Sequence, residues 1–104
     1  MPNQEINDLR DYFVQALAPE KIYLFGSYAD GRENAESDID FYIIVNDGET
    51  DMIALTARAY RAIRHRQKRA VDIIVNTESR FDDRRQNPTI EKEVFEKGVI
   101  LYGA

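Results

Sequence analysis

Apolar residues recur at three- and four-residue spacing through Ile6, Leu9, Phe13, Ala16 and Leu17. This is one face of a helix, and Pro19 breaks the pattern, which predicts a helix over about residues 4–17. Lys21 to Phe25 is a short β-rich run ended by Gly26, the first predicted strand. Ser27 to about Arg32 reads as a turn of helix or a loop, with Gly31, Asn34 and Ser37 marking an irregular connection. A second strand is predicted from Asp38 to Val45, stopped by Asn46-Asp47-Gly48. Thr50 can cap a helix reaching about Arg66, with Met52, Leu55, Ala59, Ala62 and Ile63 on its inner face. Val71 to Val75 is the third strand. Residues 77–86 are polar and read as a loop or a poorly packed turn. Asn87-Pro88 has the form of a helix cap with proline in the first turn; Ile90, Val94 and Phe95 supply the core face until Gly98, and Val99 to Tyr102 can add an edge strand. The order predicts an α/β chain, a small mixed sheet of three to four strands with helices packed on it.

Two carboxylates break this pattern. Strand residues alternate between faces, so Asp38, Asp40, Tyr42 and Ile44 share one side and Ile39, Phe41, Ile43 and Val45 the other. Residues two apart on a strand have Cα atoms about 6.5–7 Å apart, near enough for both carboxylates to serve one divalent cation or two cations about 3.5–4 Å apart. Without a cation they would repel, and one would keep its proton. Asp72 interrupts the third apolar run in the same way. If that strand lies beside the second, three carboxylates gather, a set suited to two-metal phosphoryl or nucleotidyl transfer. Gly26-Ser27 offers the complementary part: a backbone that can approach a ligand, with amides and a hydroxyl for phosphate oxygens.

Composition narrows the alternatives. A chain of 104 residues has room for one module, a single domain over 1–104. With 43% hydrophobic and 32% charged residues it has a globular make-up, and it contains no membrane-length apolar run. The first ten residues have no signal-like apolar core. The absence of cysteine removes disulfides and thiolate sites, and the expected location is cytoplasmic. A net charge of −5 argues against direct nucleic-acid binding. Arg58, Arg61, Arg64, Arg66, Lys68 and Arg69, with His65, nevertheless form a basic tract: the wet side of a helix, or a surface for a partner or RNA. His65 has no companion ligand and reads as solvated or phosphate-facing. Tyr28 beside the Gly-Ser turn could border a nucleotide or be modified, and Phe81 among charges is either a solvated loop residue or an anchor for a partner. A P-loop fails because Arg32-Glu33 stands where Lys-Ser/Thr is needed, and an EF-hand fails at Tyr42 and Ile43.

Gly26-Ser27, ten intervening residues, Asp38-x-Asp40 and then Asp72 in a later strand resemble the polymerase-beta-like nucleotidyltransferase superfamily, and within it the minimal nucleotidyltransferase (MNT) group. The likeness runs from the first helix to the closing Glu96-Lys97-Gly98-Val99-Ile100-Leu101-Tyr102-Gly103. The resemblance implies a polymerase-beta-like fold in which Asp38, Asp40 and Asp72 bind two Mg²⁺ ions and carry catalysis, while Gly26 and Ser27 hold a nucleoside triphosphate. It also implies that the chain is the antitoxin of a HEPN/MNT pair, a protein adenylyltransferase that moves AMP from ATP onto a hydroxyl, taken to be tyrosine, of a HEPN-family toxin. Asp30 is a departure, because many MNT proteins read Gly-Ser-x-Ala-Arg-Gly there; Arg32 could restore the missing cation. Two alternatives stand beside this reading. One is an antitoxin that acts by binding alone, and the other is a transferase subunit for a small hydroxylated molecule such as an aminoglycoside.

Overall fold

The computed structural model describes residues 3–103; Met1, Pro2 and Ala104 of the expected domain lie outside the described residues. The elements are α1 (Gln4–Leu17), β1 (Lys21–Phe25), α2 (Ser27–Asp30), β2 (Ile39–Val45), α3 (Met52–Ile63), β3 (Val71–Thr77), α4 (Glu78–Arg84), α5 (Ile90–Lys97) and β4 (Val99–Tyr102). The strands make one mixed sheet in the order β3-β2-β1-β4, in which β1 is antiparallel to β2 and β4 and β2 is parallel to β3. Among the described residues no helix is long and apolar enough to cross a membrane.

The strand alternation sorts the core into two layers. Ile39, Phe41, Ile43 and Val45 of β2, with Ile22 and Leu24 of β1 and Val71, Ile73 and Val75 of β3, pack against α1 and α3. α1 contributes Ile6, Leu9, Phe13 and Leu17, as its spacing predicts, and Phe13 meets Phe41 edge to face at 4.9 Å. The opposite face of the sheet, carrying Tyr23, Tyr42 and Ile44, is covered by Phe81 of α4 and Val94 of α5.

Several local expectations are corrected. α3 is capped by Asp51, whose side chain accepts from Ala54 N at 2.9 Å, so Thr50 lies outside it. The helix also stops at Ile63, because Arg64 turns to an extended ψ of 133° and His65 takes a left-handed φ of 69°. β2 begins at Ile39, leaving Asp38 at its threshold. Residues 77–86 are not a loop: β3 continues through Thr77, which then caps α4 by accepting from Arg80 N. Phe81 therefore anchors this chain's own second layer, stacked on Tyr23 at 5.6 Å and edge-on to Tyr42 at 5.1 Å, and is buried away from any partner. α5 is capped by Thr89, accepting from Lys92 N, and not by Asn87. Of its three expected core residues only Val94 is buried; Ile90 and Phe95 are exposed, and Glu91 turns inward in their place.

Candidate active site

The ladder between β2 and β3 sets Asp40 directly opposite Asp72. Because these strands run parallel with matched pleats, both side chains leave the same face as Tyr42 and Ile44. β1 brings Phe25 opposite Asp40 on the other side, so the Gly26-Ser27 turn follows at once beside the carboxylates. Asp38 is delivered by the connection before β2. There Asn34 and Ser37 tie the loop, with Asn34 N donating to Ser37 Oγ at 2.9 Å and Glu36 N to Asn34 Oδ1 at 2.8 Å, and Ile39 N starts the ladder by donating to Ala70 O at 3.0 Å. The five residues singled out in the sequence, Gly26, Ser27, Asp38, Asp40 and Asp72, thus meet at one end of one sheet face.

Gly26 is required by geometry. Its φ is +74°, and a Cβ there would run into the Asp40 carboxylate. Turn and strand are therefore in direct contact. After Gly26 the chain winds into the short α2, where Ala29 N and Asp30 N both bond Gly26 O at 3.1 Å.

The carboxylates burden one another. Asp40, half-buried between exposed Asp38 and Asp72, has its pKa raised to about 6, first by burial, then by the charge of Asp72 and also by that of Asp38. Among the described residues no cation of the chain pairs with them. This donor set suits a hard divalent cation, which removes the repulsion and binds carboxylate oxygen. As they stand, no three acidic or imidazole side chains among the described residues converge tightly enough to enclose an ion. The fit is an open platform, on which ligands beyond the carboxylates would come from elsewhere, as phosphate oxygens can.

Other expected contributors are placed differently. Arg32 does not replace the missing cation, since its guanidinium is bound to Asp30 at 2.6 Å. Tyr28 does not border the site: it is buried, and its hydroxyl accepts from Arg69 Nη1 at 2.7 Å. Arg69 also pairs with Glu5 at 3.2 Å, so it ties α2, next to the Gly-Ser turn, to α1 from a position three residues before Asp72. Arg66 lies over the Tyr12 ring at 4.3 Å. Of the basic tract, this leaves Arg58, Arg61, Arg64 and Lys68, with His65, exposed and without ion pairs among the described residues.

Sequence reasoning missed a second polar group on the same face. Glu91 is 3% exposed, accepts from the Tyr42 hydroxyl at 2.7 Å and is held by Arg84 Nε at 3.0 Å. Burial pushes its carboxyl up, but these donors outweigh it and hold the pKa below the usual value. Burial and Glu91 push the Tyr42 hydroxyl well above its ordinary range. A glutamate in a first helical turn normally faces water, so only its neighbour in space marks this one.

Comparison with known proteins follows the same outline. A family model described as polymerase beta, nucleotidyltransferase matches residues 7–104. Among solved structures, a protein from Sulfolobus solfataricus assigned as a nucleotidyltransferase is similar with a TM-score of 0.66 at 20% identity, over 96% of this chain and 78% of that one. A toxin–antitoxin structure with AMP-PNP gives 0.57 at 21%, over 94% and 73%. A variant of the toxin–antitoxin pair MntA-HpeT gives 0.66 at 24%, over 100% and 75%. At such identities these likenesses are of fold. No curated protein matches the chain. The family match runs through the Gly-Ser turn, all four strands and all three aspartates, and the chain belongs to the polymerase beta nucleotidyltransferase family.

Proposed function

We propose that the chain transfers AMP from ATP to a hydroxyl, a tyrosine, of a HEPN-family toxin and so neutralises it. The observation that carries the reading is the Asp40–Asp72 pairing in register against Gly26, with Asp38 beside it. The nucleotide-bound and MntA-HpeT toxin–antitoxin structures among the fold neighbours support the nucleotide and the kind of partner.

In this reading Asp38, Asp40 and Asp72 would hold Mg²⁺, two ions in all, which when bound neutralises phosphate charge and lowers the pKa of a bound hydroxyl. Gly26 and Ser27 would hold the triphosphate against β2. Asp72, exposed at the rim, receives the proton of the acceptor hydroxyl. The acceptor oxygen attacks the α-phosphorus, the bond to the bridging oxygen breaks, and pyrophosphate leaves. Asp40, deeper, keeps the carboxylate row aligned through its contact with the turn.

The Asp30–Arg32 ion pair favours a second reading, neutralisation by binding alone, because it removes the expected cation from the phosphate side. Intact-mass analysis of chain plus partner with ATP and Mg²⁺ decides between them. Addition of AMP to the partner, absent with Asp38→Asn/Asp40→Asn, supports transfer; a stable complex with no mass gain supports the binding antitoxin.

A further inference from the structure

The exposed face of α3 carries an apolar stripe that the proposed chemistry does not use. Ile53, Ala57 and Tyr60 fall at helical spacing, and with Met52 and Thr56 they line a shallow groove of about 390 Å³. Ile53 is 84% exposed and Tyr60 40%. Tyr60 is not a loose side chain: its hydroxyl accepts from Ile73 N of the sheet's edge strand at 3.0 Å, so its ring is presented in a fixed pose. A pre-ordered aromatic beside an exposed aliphatic residue loses little entropy on binding.

Charge defines what fits. By helical geometry Arg61 and then Arg58 lie along the stripe's side away from Met52 and Thr56, and Arg64 follows as the residue that ends the helix. All three are exposed, with no ion pair among the described residues. An apolar stripe flanked by one row of cations is complementary to a helix with an apolar stripe flanked by carboxylates. A second copy fits poorly, since residues 52–64 contain no carboxylate to meet its arginines. RNA fits poorly too, because Ile53, Met52 and Ala57 offer it nothing to bond and the whole chain is acidic.

We propose that the α3 face is a docking surface for an acidic amphipathic helix of a protein partner. It rests on the proposed function only in taking that partner to be the toxin. The groove lies on the α3 side of the sheet and the carboxylates leave the opposite face, so docking can be weakened without altering nucleotide binding.

Calorimetric titration of the full chain with the full partner protein tests this, using Ile53→Glu and Arg61→Glu. Ile53→Glu is expected to weaken the complex about ten-fold or more, and Arg61→Glu to weaken it less and flatten its salt dependence. ATP affinity stays unchanged in both, which reports an intact domain. In the wild-type complex, amide exchange slows across residues 52–61. Wild-type affinity in both variants without such protection overturns the surface while leaving the proposed function standing. No wild-type complex at all overturns both. A dimer of this chain lost in Ile53→Glu, or binding of a labelled single-stranded RNA lost in Arg61→Glu, without an effect on the protein complex, assigns the face to another occupant and also overturns the proposal.

Discussion

Two carboxylates on one face of the sheet, Asp40 and Glu91, have opposite surroundings. Glu91 is the more deeply buried, yet its pKa is lowered, because the Tyr42 hydroxyl and the Arg84 guanidinium are aimed at it. Asp40 is less buried, yet its pKa is raised to about 6, first by burial and then by the charges of Asp72 and Asp38, with no cation among the described residues to offset them. Burial pushes both pKa values up; the sign of what surrounds each charge decides whether that rise is reinforced or reversed. Glu91 is satisfied by the chain and acts as structure. Asp40 is left short of positive charge, the condition expected where a ligand has to supply it.

The sharpest way to break this contrast is at the dissatisfied end. Asp38→Asn/Asp40→Asn is expected to reduce nucleotidyl transfer by about 10³-fold or more, read as AMP-dependent mass gain on the acceptor, while the protein remains folded. At the satisfied end the effect is on stability. Glu91→Ala leaves the buried Tyr42 hydroxyl without its acceptor and Arg84 without its anion, and should cost about 2–4 kcal/mol in urea unfolding. Tyr42→Phe, which removes one donor and leaves the Glu91–Arg84 pair, should cost about 1 kcal/mol.

Smaller effects sharpen the comparison. Asp40→Asn removes a charge that the fold tolerates poorly and should stabilise the metal-free protein by on the order of 1 kcal/mol near pH 8, after allowance for solvent screening. The two groups also predict opposite pH trends. With its folded pKa raised, Asp40 contributes stability that is fully present below its unfolded value, near 4, and is lost as pH rises through about 6. With its folded pKa lowered, Glu91 contributes stability that is present above its unfolded value and lost as pH falls through the folded one. Urea midpoints across pH should therefore lose the decline between about pH 4 and 6 in Asp40→Asn, and lose part of the acid limb in Glu91→Gln.

The legible parts of the sequence are those with a period. α1 has five apolar residues at helical spacing, β2 is an apolar, β-rich run, and the aspartates stand out because they break or border such runs. What could not be read was their register: that Asp40 faces Asp72 depends on β3 pairing beside β2 in one offset. α4 escaped because a seven-residue helix shows only one buried apolar position, Phe81, among charges. The start of α5 was misread because Asn87-Pro88 imitates a cap that Thr89 supplies two residues later. Tyr28 looked functional from its place beside the Gly-Ser turn, yet Arg69, distant in sequence, holds it in the core. The register and Tyr28 depended on contacts between segments far apart in the chain, whereas α4 and the α5 cap were missed for local reasons.

The strand order also bears on how the chain assembles. β1 and β2, which carry the Gly-Ser turn and Asp40, are neighbours in sequence as well as in space, whereas β4 must return to pair Val99 with Leu24 and Tyr102 with Ile22. Closing a long loop costs more entropy than closing a short one, so the antiparallel β1–β2 pair can form early and β4 pairing comes late. During synthesis, the turn and the first carboxylates can therefore come together while the β4 side of β1 is still an unpaired edge, open to other strands until β4 emerges.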